Sequence, residues 1–139
     1  MIRLAATVFS AALLSAAAFA GDGGGGGEGQ YEFTMPSNNV GCVYTPEGGT
    51  AVYSTADGGA ELSCDRVSPS YVRVVLGSRG KAKRYTKVGD ASCCGADNYL
   101  AYGETWAEGP FSCLSATSGL TCTRGSHGFM INKKGVRAY

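Results

Sequence analysis

A single histidine, one tryptophan and four prolines are all that 139 residues contain of those types, and charge of either sign is sparse. Each scarcity closes off a class of function. With His127 as the only imidazole, a tetrahedral zinc site would need cysteines at spaced positions, and that spacing is absent. No Cys-x-x-Cys pair is present for thioredoxin-type redox chemistry. Lys and Arg number 12 against 11 Asp and Glu, and Arg3 is the one charged residue among the first twenty, so without that leader the balance is 11 to 11. A formal charge of zero gives no general attraction for nucleic acid or anionic membrane. No serine sits in a Gly-x-Ser-x-Gly elbow. Gly80-Lys81-Ala82 fails as a phosphate loop, because Ala82 stands where Ser or Thr is required and Val75 where the first glycine belongs. No metal or cofactor is implied.

What is present begins with a leader. Met1-Ile2-Arg3 is a minimal positive start, Leu4 to Ala18 is small or apolar, and Ala18-Phe19-Ala20 has the small-x-small form cut by signal peptidases. The apolar run is shorter than the roughly 20 residues that span a bilayer, so no membrane span is expected after cleavage. Residues 1–20 therefore read as a secretory signal, and a secreted or periplasmic location follows. Residues 21–30, dominated by glycine, read as a flexible tether. Residues 31–139 are left as one domain, small enough that covalent staples would help it.

That domain reads as all-β, with little or no helix, because no stretch sustains a helical period and turn clusters are frequent. Candidate strands include Tyr31 to Met35, Val40 to Tyr44, Thr50 to Ser54, Glu61 to Arg66, Tyr71 to Leu76, Lys81 to Val88, Tyr99 to Trp106, Phe111 to Ala116, Leu120 to Arg124, Phe129 to Ile131 and Val136 to Ala138. A small antiparallel sandwich or partly open barrel of hairpins is expected. Its core would hold Val40, Tyr44, Leu62, Val72, Val74, Leu76, Leu100, Trp106, Phe111, Leu120, Phe129 and Ile131.

Six cysteines staple it. If Ala116 pairs with Gly119 across Thr117-Ser118, Cys113 falls opposite Cys122 at a non-hydrogen-bonded site, where Cα atoms approach to about 4.5 Å. That separation suits a disulfide. Leu62-Ser63-Cys64-Asp65-Arg66 echoes Leu120-Thr121-Cys122-Thr123-Arg124, and by analogy Cys42 pairs with Cys64. Cys93 and Cys94 are adjacent: they bond each other, stay as a dithiol, or point to opposite faces and bond other partners.

Candidate binding residues are few. Lys81, Lys83, Arg84, Tyr85 and Lys87 form a basic strip that could dock a polyanion, or simply protect an edge strand from aggregation. His127 lies in Gly125-Ser126-His127-Gly128-Phe129, which resembles an exposed loop. Asp90, Asp97, Glu104 and Glu108 have no spacing that predicts paired acid and base.

The ordered set Phe33-Thr34-Met35-Pro36-Ser37-Asn38-Asn39-Val40-Gly41-Cys42, Leu62-Ser63-Cys64-Asp65, Leu100-Ala101-Tyr102-Gly103, Gly109-Pro110-Phe111-Ser112-Cys113, Gly119-Leu120-Thr121-Cys122 and His127-Gly128-Phe129 resembles an uncharacterised family of short secreted bacterial proteins. The resemblance covers nearly all of the mature domain and implies a bacterial exported protein with no assigned activity. The chain departs from the family in the middle, where Cys93-Cys94 replaces a more widely separated pair, which leaves the third disulfide open.

The expectation is a non-enzymatic envelope or extracellular binding module for a protein or envelope polymer. One version is an inhibitor of a cell-wall hydrolase that presents Ser126 to Phe129. The alternatives are a small secreted hydrolase using His127 with a carboxylate, and structural association through the tether or a sheet edge.

Overall fold

The computed structural model of the chain describes residues 29–139; the leader and the tether up to residue 28 lie outside the described residues. Ten strands form two antiparallel five-stranded meanders that pack as an open sandwich. The first sheet runs β1 (Tyr31–Thr34), β2 (Val40–Thr45), β3 (Glu61–Arg66), β4 (Val72–Leu76) and β5 (Lys83–Tyr85). The second runs β6 (Thr105–Glu108), β7 (Phe111–Ala116), β8 (Gly119–Arg124), β9 (His127–Asn132) and β10 (Gly135–Ala138). No helix occurs among the described residues.

The two sheets repeat one plan. Across the first, Phe33, Cys42, Cys64 and Val74 lie in one cross-strand row; across the second, Trp106, Cys113, Cys122 and Phe129 do the same. Each row places an aromatic residue beside a disulfide on the inner face. The bonds Cys42–Cys64 and Cys113–Cys122 join the second and third strands of their sheets, each with Cα atoms 4.1 Å apart. Ala116 does pair with Gly119, so the expected register holds. Every expected core residue is buried except Trp106, which is partly buried and packs on the cluster. Its ring stacks on Tyr31 at 6.0 Å between centroids and tilts against Phe33 at 5.2 Å, closing the side of the sandwich where β1 meets β6.

The halves also grip each other reciprocally. Arg66, two residues beyond Cys64, donates to the carbonyl of Asn132 on the second sheet. Arg124, two residues beyond Cys122, donates to the carbonyl of Gly77 next to the first sheet. Leu62 opposes Leu76 as Leu120 opposes Ile131, so Gly77 and Asn132 occupy equivalent places. The echo between the two Leu-x-Cys-x-Arg segments thus marks an approximate two-fold relation between two meanders, larger than a duplicated hairpin.

Three expected strands are corrected. Thr50 to Ser54 is a turn, because the Thr50 hydroxyl accepts from the amides of Val52 and Tyr53 and so takes the backbone out of any ladder. The strand expected over Lys81 to Val88 shrinks to Lys83–Tyr85, an edge strand with one neighbour. Of Tyr99 to Trp106 only the end is strand: Tyr99 makes a single parallel bridge to Thr34, and a turn at Ala101 to Glu104 intervenes. Gln30, assigned to the tether by composition, joins the fold by donating from Nε2 to Thr45 Oγ1 at 2.8 Å.

The two cross-strand staples differ in sequence separation, 22 for Cys42–Cys64 and 9 for Cys113–Cys122. Loop-closure entropy then ranks them. Replacing the first pair by alanine should lower the free energy of unfolding by about 3.4 kcal/mol and the second by about 2.7 kcal/mol. Urea titration of the two double variants reads this, and the reverse order would refute the ranking.

Candidate functional site

Alternation along the strands sends Leu62 and Cys64 inward and therefore Glu61, Ser63 and Asp65 outward. The same rule puts Glu32 and Thr34 of β1, Gly41, Val43 and Thr45 of β2 and Arg73 of β4 on that outer face. Two segments rise over it. One runs from Asp90 through Cys93 and Cys94 to Asn98, and the other is the long turn between β2 and β3 that carries Tyr53. Between them lies a cleft of about 330 Å³.

Each wall is tied down by named bonds. Asp65 receives Arg73 through two nitrogens, Nε at 2.7 Å and Nη2 at 2.8 Å, while Nη1 of Arg73 reaches Asp90 at 2.8 Å. Tyr71 donates its hydroxyl to Asp65 and accepts the Cys93 amide at 3.1 Å. Arg73, Asp65 and Tyr71 thereby anchor the segment that bears the cysteines. Its far end is held where Asn98 donates to the Glu32 carbonyl at 3.0 Å and accepts the Thr34 amide at 2.8 Å. Cys93 and Cys94 are bonded to each other, and the peptide between them is cis. Their sulfurs sit where a side chain on Gly41 would be, 3.0 and 3.1 Å from a Cβ placed there. Glycine at 41 therefore lets this wall sit as close to the sheet as it does, since even a methyl group there would push the sulfurs back by a few tenths of an ångström. On the opposite wall the Tyr53 hydroxyl donates to Glu61 Oε1 at 2.6 Å.

Burial and this bond together push Tyr53 up to about 12, since both favour the neutral phenol. Tyr71 is raised by burial first and by its bond to Asp65 second. Arg73 is held charged, chiefly by its hydrogen bond to Asp65.

The two-fold plan supplies an internal comparison. At the places of Glu32, Gly41, Glu61, Ser63, Asp65 and Arg73, the second sheet has Thr105, Ser112, Gly119, Thr121, Thr123 and Gly128. The same framework thus folds with no charge at any of these six equivalent positions. The carboxylates and Arg73 are a property of the cleft and not a requirement of the meander.

The residues singled out from sequence fall elsewhere or only touch this face. Lys83 and Tyr85 lie on the cleft face at the far edge, opposite Val75 and Arg73. Arg84 shares their strand; Lys81 and Lys87 flank it, and all five are exposed. His127 opens β9, opposite Arg124 on the second sheet, and no carboxylate bonds it among the described residues. Phe129 is in the core, so His127 to Phe129 is strand and not a projecting loop. Asp90 reaches the cleft through Arg73, whereas Glu104 instead accepts the Ala101 amide. Sequence reading missed Glu32, Tyr53, Glu61, Asp65 and Arg73. The available signal was the pair of echoed segments, in which Glu61 and Asp65 stand against Gly119 and Thr123.

No group of three or more His, Cys, Asp or Glu among the described residues converges closely enough to hold a metal ion. No helix among them is long and apolar enough to cross a membrane. Three bonded cysteine pairs fit an oxidising compartment. Comparison with family models, with curated proteins and with solved structures finds no match to this chain.

Two tests follow from the walls. Gly41→Val should displace residues 91–97 and cost about 1 to 3 kcal/mol while leaving both inner disulfides formed. Hydrogen exchange should show faster amides there and unchanged amides in β7 to β9; unchanged exchange at 91–97 would refute the contact. Tyr53 is the second test. Because its folded value lies above its unfolded value near 10, the stability it contributes is complete below pH 10 and lost as pH rises through about 12. Absorbance titration of tyrosinate should lose its highest component in Tyr53→Phe.

Proposed function

We propose that the mature domain is an exported, non-enzymatic binding module that seats its ligand, a protein segment or an envelope polymer, in the cleft on the first sheet. The internal comparison carries this reading. One of two equivalent faces carries a walled hollow and three sheet-borne carboxylates whose equivalents on the other are Thr105, Gly119 and Thr123. Function resides in such additions to a framework, not in the framework.

Binding is favoured over catalysis by how the groups are engaged. Asp65 is committed to Arg73 and Tyr71, and Glu61 to Tyr53, which suits groups that hold a shape and not groups that shuttle protons. His127, the base of the hydrolase alternative, is on the other sheet. A concave site receives a ligand, whereas an inhibitor of a hydrolase presents a projection, and Phe129 is buried in the core.

The test is an amide-shift titration of the exported, ¹⁵N-labelled protein with soluble muropeptides, which combine sugar, carboxylate, amine and peptide chemistry. Shifts confined to Val43, Tyr53, Glu61, Ser63 and residues 92–96 are expected. Shifts centred on His127, or cleavage of the muropeptides seen by mass spectrometry, would overturn the reading. An unperturbed spectrum would remove the envelope polymer as ligand.

A further inference from the structure

We infer that the cleft is a receptor for an organic cation, a primary ammonium or guanidinium group on an aliphatic stem, with Glu61 as its counter-ion. This rests on the cleft being the binding site and specifies what it binds.

The charges that line the cleft do not balance. Glu32, Glu61, Asp65 and Asp90 face a single cation, Arg73. Arg73 gives Nε and Nη2 to Asp65 and Nη1 to Asp90, so its charge is already spent. The ion pairs among the described residues are those two alone, which leaves Glu32 and Glu61 with no counter-charge. Glu61 is the sharper case. It is only 4 % exposed, and among the described residues the one hydrogen bond its carboxylate receives comes from a neutral phenol. A carboxylate buried to that degree is costly unless a cation or several donors compensate it.

A second observation, independent of the acids, points the same way. Thr34 lines the cleft, is 1 % exposed, and its Oγ1 has no hydrogen-bond partner among the described residues. Buried hydroxyls are almost always satisfied, so an unsatisfied one in a ligand-sized hollow marks a place for a donor. Ammonium supplies three N–H donors and no acceptor, and guanidinium five, which suits the Glu61 carboxylate. Thr34, level with Gly41 where Glu61 is level with Thr45, lies too far along the sheet for the same head group and takes a donor from elsewhere on the ligand.

The remaining lining fits a stem. Val43 lies between Glu32 and Ser63 in the floor, and the Cys93–Cys94 sulfurs form a polarizable, weakly polar wall. The carboxylates do not converge as metal ligands do, which favours a cation that brings its own hydrogens. An anion would meet uncompensated negative charge.

The experiment titrates the exported protein with Nα-acetyl-lysine N-methylamide and with its arginine counterpart. The control is the lysine probe acetylated on Nε, which keeps the stem and removes the charge. Both cationic probes should shift the cleft amides, and the neutral control should bind about tenfold more weakly or worse. Glu61→Gln should weaken the cationic probes by about tenfold and leave the neutral one unchanged. Glu32→Gln, at a partly exposed position, should fold regardless and weaken them about threefold. Cleft shifts of equal size from the neutral and cationic probes would overturn the inference, as would cation affinities unchanged in both variants. If muropeptides move the cleft amides and the cationic probes do not, the cation is wrong and the binding site stands. If neither moves them, the cation and the envelope polymer both fail as ligands.

Discussion

Register is the constraint on which everything else in this molecule depends, and two covalent bonds hold it. A slip of one residue between β2 and β3 would turn every side chain of one strand to the other face. Cys42–Cys64 forbids that slip in the first sheet and Cys113–Cys122 forbids it in the second. Because Cys64 must face its partner in the core, Leu62 and Arg66 face inward with it, and Glu61, Ser63 and Asp65 have no choice but to face out. The acidic face is thus a consequence of where the cysteine stands in its strand.

The two meanders then solve the problem of a small core by supplying each other's inner layer. Equivalent strands lie across from each other, β4 near β9 and β5 near β10, as a two-fold relation requires. The reciprocal bonds from Arg66 and Arg124 close the two ends of the sandwich with the same chemistry. A buried guanidinium needs several acceptors, and Arg66 has them in the Ser70 carbonyl, the Ser70 hydroxyl and the Asn132 carbonyl. With the core complete on the inner faces, both outer faces are left to vary. Only the first carries carboxylates on its strands and the cover of residues 90–98.

What was legible in the sequence follows the distance over which each constraint acts. The Cys113–Cys122 bond was readable because a two-residue turn fixes its register locally, and the core was readable from alternation. Cys42–Cys64 was reachable only through the echo with the other half, since the long turn between β2 and β3 does not fix a register. Thr50 to Ser54 has the composition of a strand, and a single hydroxyl overrules it. The cleft was not legible at all. It joins Tyr53 from a turn, Glu61 and Asp65 from one strand, Arg73 from the next, and Cys93 and Cys94 from a connection without regular structure. Nothing local brings those residues together. The sandwich and the close approach at Gly41 do.

Cys93 and Cys94 are where these constraints meet. The inner disulfides are surrounded by core and serve the fold; this one is half-exposed and serves the cleft. It lies outside both sheets, so neither meander needs it for register. Its surroundings instead form one connected set: Gly41 leaves the room, Tyr71 holds the Cys93 amide, Asp65 holds Tyr71, and Arg73 holds Asp65 and Asp90. A bond between neighbours closes no loop worth the name, so loop-closure entropy does not explain it. What it does supply is a compact, rigid pair of sulfurs at a fixed height above the sheet, with no hydrogen-bond donor to satisfy. In the proposed binding role, such a wall would leave a ligand's charged head to Glu61 opposite and give its stem a surface with no competing hydrogen-bond donor.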